Sequence, residues 1–498
     1  MTQKLKKIVI VGGGAAGWMS AAFLARQLDK DCEIKLIESS EIGTVGVGEA
    51  TIPPIKQFNN LLGIKESDFL KSTQGTFKLG IDFENWHKKG DRYFHPFGRF
   101  GLEIDYAPFH FFWLRNQADG VNKPVEEYSM AWHMAKNNKF AHPSRDARSV
   151  QSTFDYAYHF DANLYANYLK NYSLKLGVKH QEGKVDEVFT HPESGFITNV
   201  KLSNGDEVAG DFFIDCTGFN SLLLGKTMGV GYQNWQKWLP CDKAVAVPSQ
   251  LPNQILPYTR SIAHQAGWQW QIPLQSRLGN GLVYSSQYME TNEATETLLQ
   301  NIPTKAISEP KHLSFTTGRR NEFWHKNCLA VGLSAGFLEP LESTSLHLIQ
   351  SAILRFTTYL PSTDCYSLLA EQYNRETASE YEQLRDFLIL HYKATAREDS
   401  EFWHYCKNMQ IPEALADKIA LYKHAGHLTP EADNLFKHTN WLAVMAGQGL
   451  KPDQLPGMVT HKQNIDYTRT LNGLRKIMIE SSQSAPRHND FIAKYCKS

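Results

Sequence analysis

The chain opens on short apolar runs separated by glycine-rich breaks. Lys7-Ile8-Val9-Ile10-Val11 is β-branched and lacks polar alternation, the pattern of a strand covered on both faces. It runs into Gly12-Gly13-Gly14-Ala15-Ala16-Gly17, and Trp18 to Leu28 then reads as a helix. A second strand is expected at Glu33-Ile34-Lys35-Leu36-Ile37, ending on Glu38. From Phe77 to Glu84 apolar and polar positions alternate, which predicts one half-buried strand with Lys78, Gly80, Asp82 and Glu84 on its polar face. Val185 to Val208 reads as strand pieces broken at Ser194-Gly195 and Asn204-Gly205. Asp211 to Asp215 is a further strand, opening into Cys216-Thr217-Gly218. Gly267 to Pro273 alternates again, with Trp268, Trp270 and Ile272 on one face. Asn280-Gly281 signals a hairpin, with the returning strand at Leu282 to Ser286. Cys328 to Gly332 is another buried strand. A helix is expected over Ser345 to Leu360, with Leu346, Ile349, Ile353 and Leu354 as its apolar stripe and Ser343 or Thr344 as its cap. From about Ser367 the pattern is mostly helical, with Thr429-Pro430-Glu431 as a helix start.

Composition narrows this picture. A chain of 498 residues exceeds what one core usually holds, so two joined domains are expected. The formal net charge is +0 and no long basic tract occurs, which argues against nucleic acid as a partner. No apolar run is long enough to span a bilayer, and a nucleotide-type loop already begins at Gly12, so no secretory leader is expected before the first strand. The seven cysteines are scattered without a CxxC pair or a His cluster, which predicts reduced thiols, no metal site and a cytoplasmic setting. Aromatic residues make up 12%, which suits either a large core or an aromatic pocket.

The first sixty residues carry recognisable chemistry. Gly12 permits a tight turn, Gly14 lets a pyrophosphate approach the backbone, and Gly17 permits close helix packing. The helix start attracts phosphate, and Glu38 stands where a ribose acceptor is needed. Strand, loop, helix, strand and acid in order imply a dinucleotide site, with FAD and NAD both compatible. The Gly-dense stretch from Glu41 to Pro53 is expected to lie against the cofactor, Gly46 and Gly48 allowing close approach. By periodicity alone Lys78 is an ordinary exposed lysine. The loop from Leu333 to Thr344 precedes a helix and is a candidate anion site.

With these motifs together, the chain resembles the flavin-dependent tryptophan halogenases. The resemblance is carried by the glycine loop Gly12 to Gly17, by Gly46 to Thr51, by Trp268, Trp270, Ile272 and Pro273, and by Pro340-Leu341-Glu342-Ser343-Thr344. It implies an α/β architecture: a Rossmann-like FAD-binding fold of the flavin monooxygenase type with a largely helical C-terminal substrate region. The core would span residues 1–365 and the helical region 366–498. FAD, bound without a covalent bond, would contact Gly12, Gly14, Ala15, Ala16, Gly17, Glu38, Gly48, Glu49, Ala50, Leu333 and Gly336. It would be reduced in trans by a separate NAD(P)H-dependent flavin reductase.

Oxygen and chloride or bromide would then yield hypohalous acid, which travels inside the protein to a small aromatic substrate. Lys78 would hold the oxidant, as a hydrogen-bond donor or a chloramine, and Glu342 would polarise it or take the ring proton. Ser343 lies beside Glu342 and, with His95 and Phe97, would contact the substrate ring. The amides of Thr344 and Ser345 would hold the halide, and Trp268 and Trp270 would wall the flavin. A homodimer is a candidate assembly.

Two features depart from the family pattern. Position 345 is Ser where well-known members carry Gly, which would matter if that backbone needs a positive φ. The tandem tyrosines that grip an amino acid group are missing around Asn440 to Gly449, which points to an indole or another electron-rich aromatic rather than free tryptophan. The runner-up activity is an FAD-dependent aromatic monooxygenase, and a flavin-binding protein without turnover is the third reading.

Overall fold

The computed structural model describes residues 4–40, 48–104, 106–365, 367–429, 434–462 and 466–496. Gly46 and the helix start at Pro430-Glu431 lie outside the described residues. The chain divides into two compact units, each gathered from three segments. The first comprises Met1–Gly75, Phe160–Lys237 and Phe315–Glu382, and the second Thr76–His159, Trp238–Ser314 and Gln383–Ser498. The division therefore runs through the Ser367–Lys393 helix rather than ahead of it, where the expected boundary at residue 365 stands.

The first unit is built on a six-stranded sheet. Its order is Trp324–His325, Cys328–Ala330, Phe212–Asp215, Lys7–Val11, Glu33–Glu38 and Lys179–Glu182. All neighbours are parallel except the first pair. Ile8, Val9 and Ile10 are wholly buried, as a strand covered on both faces requires. The helix after the glycine loop runs Ala15–Gln27, three residues earlier than the apolar pattern alone suggests, because Ala15-Ala16 already supplies its first turn. The pieces at Val185–Thr190, Ile197–Leu202 and Glu207–Ala209 form a separate three-stranded meander, with Gly195 and Gly205 at positive φ in its turns.

The second unit carries a seven-stranded sheet ordered Lys311–Ser314, Lys243–Gln250, Arg277–Tyr284, Gly267–Pro273, Thr259–His264, Gly80–Glu84 and Arg92–Pro96. Two expectations change here. The alternating stretch from Phe77 is not one strand. Thr76–Lys78 pairs with Ala157–His159, the chain breaks at Leu79, and Gly80–Glu84 joins the large sheet. Both faces of this stretch are covered, so Lys78 and Asp82 are buried rather than solvated.

Asn280-Gly281 is not a turn. It lies within the Arg277–Tyr284 strand, in register with Gln271 and Trp270, and the reversal occurs between Leu274 and Arg277. A β-carbon on Gly281 would stand 2.0 Å from the Trp270 ring. The glycine makes room for an indole lying across the sheet, a requirement of packing and not of turn geometry.

Candidate active site

In the first unit the backbone builds a nucleotide cradle. Gly12 has φ +113°, and a β-carbon there would meet the Cys216 carbonyl oxygen at 2.2 Å. A β-carbon on Gly17 would meet the Gly12 carbonyl oxygen at 1.8 Å, so the helix seats directly on the turn. Around Gly14 the space is open, and this residue caps the Ala15–Gln27 helix without a side chain. The helix start, with Ala15 and Ala16 as its first residues, is thus clear for a phosphate.

Glu38 ends its strand and folds over the loop, where a β-carbon on Gly13 would collide with its carboxylate. It accepts hydrogen bonds from Lys170 Nζ at 2.5 Å and Trp18 Nε1 at 3.2 Å, and it lies 2.9 Å from His180 Nε2. An anchored carboxylate at that point suits ribose hydroxyls, so the residues present fit a dinucleotide. Gly48, Glu49 and Ala50 form a short strand. Glu49 is half-buried, and desolvation, then the charge of Asp161, pushes its pKa up to about 8.

Asp215 is an organiser that motif reading passes over. It is wholly buried at the end of its strand. Its carboxylate accepts from the amide and hydroxyl of Thr217 at 3.0 and 2.6 Å, from the amides of Leu223 and Leu224 at 2.9 Å each, and from Ser334 Oγ at 3.0 Å. One acid thereby ties the loop after Asp215 to the Gly332–Ser334 turn that carries Leu333. Gly336 follows in a two-residue strand packed so closely that a β-carbon would meet the Gly318 carbonyl oxygen at 2.7 Å. The sequence signal was available: Asp215 occupies its strand end as Glu38 does its own.

Farther along the first unit, Pro340–Glu342 makes a single 3-10 turn and the helix Ser345–Thr358 follows. Glu342 is 0% exposed, and Ser343 and Thr344 are buried. Ser343 adopts φ 61°, ψ 37°, a left-handed conformation uncommon for a residue with a side chain. Ser345 is the first helical residue and has no positive φ, so serine meets no backbone penalty there. The positive φ falls two residues earlier. Thr344 is the cap residue but does not cap the helix with its side chain: its own backbone is helical, and its hydroxyl is buried without a hydrogen-bond partner among the described residues.

In the second unit Lys78 ends the three-residue strand Thr76–Lys78 and is 0% exposed. Its Nζ stands 5.1 Å from the centre of the Phe97 ring, a cation–π contact in a desolvated setting. His95, buried in the adjoining Arg92–Pro96 strand, lies 2.8 Å from Asn440 Nδ2, and its ring packs on Phe387 and Phe436 at 5.8 and 6.2 Å. Phe387 and Phe436 stack at 4.0 Å, and Trp441 meets Phe387 edge-on at 5.0 Å. A packed aromatic cluster thus occupies the region in which tandem tyrosines are missing. Trp268 and Trp270 lie 6.2 Å apart between ring centres, both buried in a strand with no exposed residue.

Comparison with known proteins identifies the chain's relatives. The family model described as tryptophan halogenase matches residues 7–464. The chain is 37% identical to the 7-chloro-L-tryptophan 6-halogenase KtzR of Kutzneria sp., over 98% of this chain and 99% of that one. Among solved structures it is similar to Xcc4156, a flavin-dependent halogenase from Xanthomonas campestris, with TM-score 0.96, 40% identity and coverage of 100% and 99% of the two chains. BrvH, a flavin-dependent halogenase from Brevundimonas sp. BAL3, gives TM-score 0.95 and 39% identity, covering 99% of this chain and 100% of that one. These likenesses favour halogenation over hydroxylation or a non-catalytic role, and with the family match over most of its length the chain belongs to the tryptophan halogenase family.

Proposed function

We propose that this flavin-dependent halogenase modifies an indole or similar electron-rich ring without requiring the amino acid group of free tryptophan. Reduced FAD, supplied by a separate NAD(P)H-dependent flavin reductase, provides the oxygen chemistry that turns chloride or bromide into hypohalous acid. The glycine loop and Ala15-Ala16 hold the pyrophosphate, Glu38 holds the ribose, and Gly48 to Ala50 with Leu333 and Gly336 border the flavin. Trp268 and Trp270 wall it off from the organic substrate. The amides of Thr344 and Ser345 bind halide at the helix start.

Lys78 donates a hydrogen bond from its ammonium group to the oxidant and so directs the electrophilic halogen at the ring. Glu342 polarises the oxidant or accepts the proton that leaves the halogenated carbon. His95 and Phe97 clamp the ring, with Ser343 beside it. The observation that carries this reading is the burial of Lys78 on a three-residue strand, with Phe97 beneath its ammonium group. A desolvated lysine can serve as a hydrogen-bond donor or an amine in chemistry. The preference for a bare ring is supported by the lack of tandem tyrosines around Asn440 to Gly449.

The test is a Lys78→Met variant, which keeps the apolar stem and removes the charge. FAD binding and flavin oxidation should persist while halogenated product per flavin oxidised falls roughly a hundredfold. A product yield equal to that of the parent from a folded variant would end the mechanism. For the substrate, a higher specificity constant for tryptophan than for indole would overturn the proposal.

A further inference from the structure

The strand that carries Lys78 is too short to hold itself. Three residues, Thr76 to Lys78, pair with His159, Tyr158 and Ala157, and at Leu79 the chain leaves that ladder, its amide donating to the Pro257 carbonyl at 2.7 Å. A lysine has four rotatable side-chain bonds, so its Nζ is placed only as well as its backbone and its packing are. Two wholly buried histidines grip this strand, and neither belongs to the motifs that mark the family resemblance.

Their protonation follows from their partners. Thr76 Oγ1 stands 2.7 Å from the Pro273 carbonyl oxygen, which can only accept, so the hydroxyl spends its one proton there. Toward His159 Nδ1, at 3.0 Å, the same oxygen must then accept, and Nδ1 carries the ring proton. His159 Nε2 is left to accept from Thr259 Oγ1 at 2.9 Å. Burial, and then the charge of Lys78, hold this ring well below the ordinary histidine pKa, consistent with the neutral form. His488 uses its nitrogens in the same sense. Nδ1 donates to the Ile255 carbonyl at 2.8 Å, and Nε2 accepts the Phe77 amide at 3.3 Å.

We propose that His159 and His488 are positioning residues that act through Thr76 and Phe77 to hold the Lys78 strand in its working place. The inference rests on the role proposed above for Lys78. The two rings grip the strand with opposite atoms: His159 through its Nδ1 donor, His488 through its Nε2 acceptor.

That opposition provides the test. An Asn side chain can reproduce the Nδ1 donor and a Gln side chain the Nε2 acceptor. His159→Asn and His488→Gln should therefore keep the grip on the strand, and His159→Gln and His488→Asn should release it. The assay uses the full-length enzyme with FAD, an added flavin reductase, bromide and indole. It reads bromoindole per flavin oxidised and, with a soluble hypobromite trap, the oxidant that escapes. The two gripping variants should stay within about threefold of the parent, and the two releasing variants should lose about tenfold or more, with escaped oxidant rising and flavin oxidation unchanged.

Equal yields from the Asn and Gln variants at each position would overturn the proposal, because a merely structural histidine has no reason to produce a crossed pattern. Should a histidine variant fail to fold, Thr76→Ser against Thr76→Val repeats the contrast, since only Ser keeps the hydroxyl; equal yields from that pair would overturn it equally. Lys78→Met is run alongside. A parent-like yield from Lys78→Met defeats the lysine mechanism itself, whereas loss there with no crossed pattern defeats only the clamp.

Discussion

The two units prepare their chemistry by different means. The first makes its cradle from backbone: a turn at φ +113°, a helix start left open at Gly14, and carboxylates at the ends of two parallel strands. The second works with side chains sunk into sheets: Lys78 over Phe97, His95 among Phe387 and Phe436, and paired indoles on one strand. The backbone site tolerates almost no added atom at Gly12 and Gly17, where carbonyl oxygens of Cys216 and Gly12 stand in the way of a β-carbon. A side-chain site tolerates changes in its walls as long as the strand carrying the reactive group stays put.

The contrast can be broken at several points. Lys78→Met should have the largest effect, about a hundredfold on product per flavin oxidised, with flavin binding untouched; loss of flavin from that variant would show that the two preparations are not separable. Gly12→Ala is its mirror image. A β-carbon at 2.2 Å from a backbone carbonyl, at a φ that L-residues avoid, should cost about 3 kcal/mol or more and abolish flavin binding. Flavin titration and thermal melts check both consequences, and a flavin-saturated Gly12→Ala protein would contradict the account of the cradle.

A third effect concerns pH. Burial lowers the His488 pKa to about 4 from the ordinary 6.5, so the unfolded chain binds a proton that the folded one refuses. The stabilisation is complete above about pH 6.5 and is lost as pH falls toward 4, about 3 kcal/mol in all. Denaturant unfolding curves across that range should show it, and His488→Asn should flatten the slope.

Gly281→Ala should cost about 1–3 kcal/mol, because its methyl group enters the Trp270 ring. Unchanged melting would mean that the indole has room to move. The smallest effect is expected from Ser345→Gly, which places glycine where the family resemblance implies it. As the first residue of a helix, position 345 gains nothing from glycine and should lose at most about 1 kcal/mol. A large gain in halide use by that variant would show that serine does impair the halide site.

The residues themselves reveal these halves unequally. The cradle is legible because its parts are consecutive: Val11 to Gly17 encode strand, turn and helix start, and Glu38 follows one strand later. Period-two alternation at Phe77 to Glu84 misled, because it assumes that one face meets water. Here both faces meet protein and the chain breaks at Leu79. Asn280-Gly281 misled in the same way, a turn signal locally and a steric allowance in the sheet.

What the sequence determined by itself is the local chemistry: the nucleotide turn, the acids at strand ends, the helix after Thr344, and the motifs that resemble the halogenase family. Only tertiary structure decided that Lys78 is buried, that Ser343 rather than Ser345 takes the left-handed backbone, and that His159 and His488 meet the lysine's strand at Thr76 and Phe77 from 83 and 411 residues away. Burial and tautomer depend on which distant groups close around an atom, and hydrophobic periodicity along a chain carries no record of those partners.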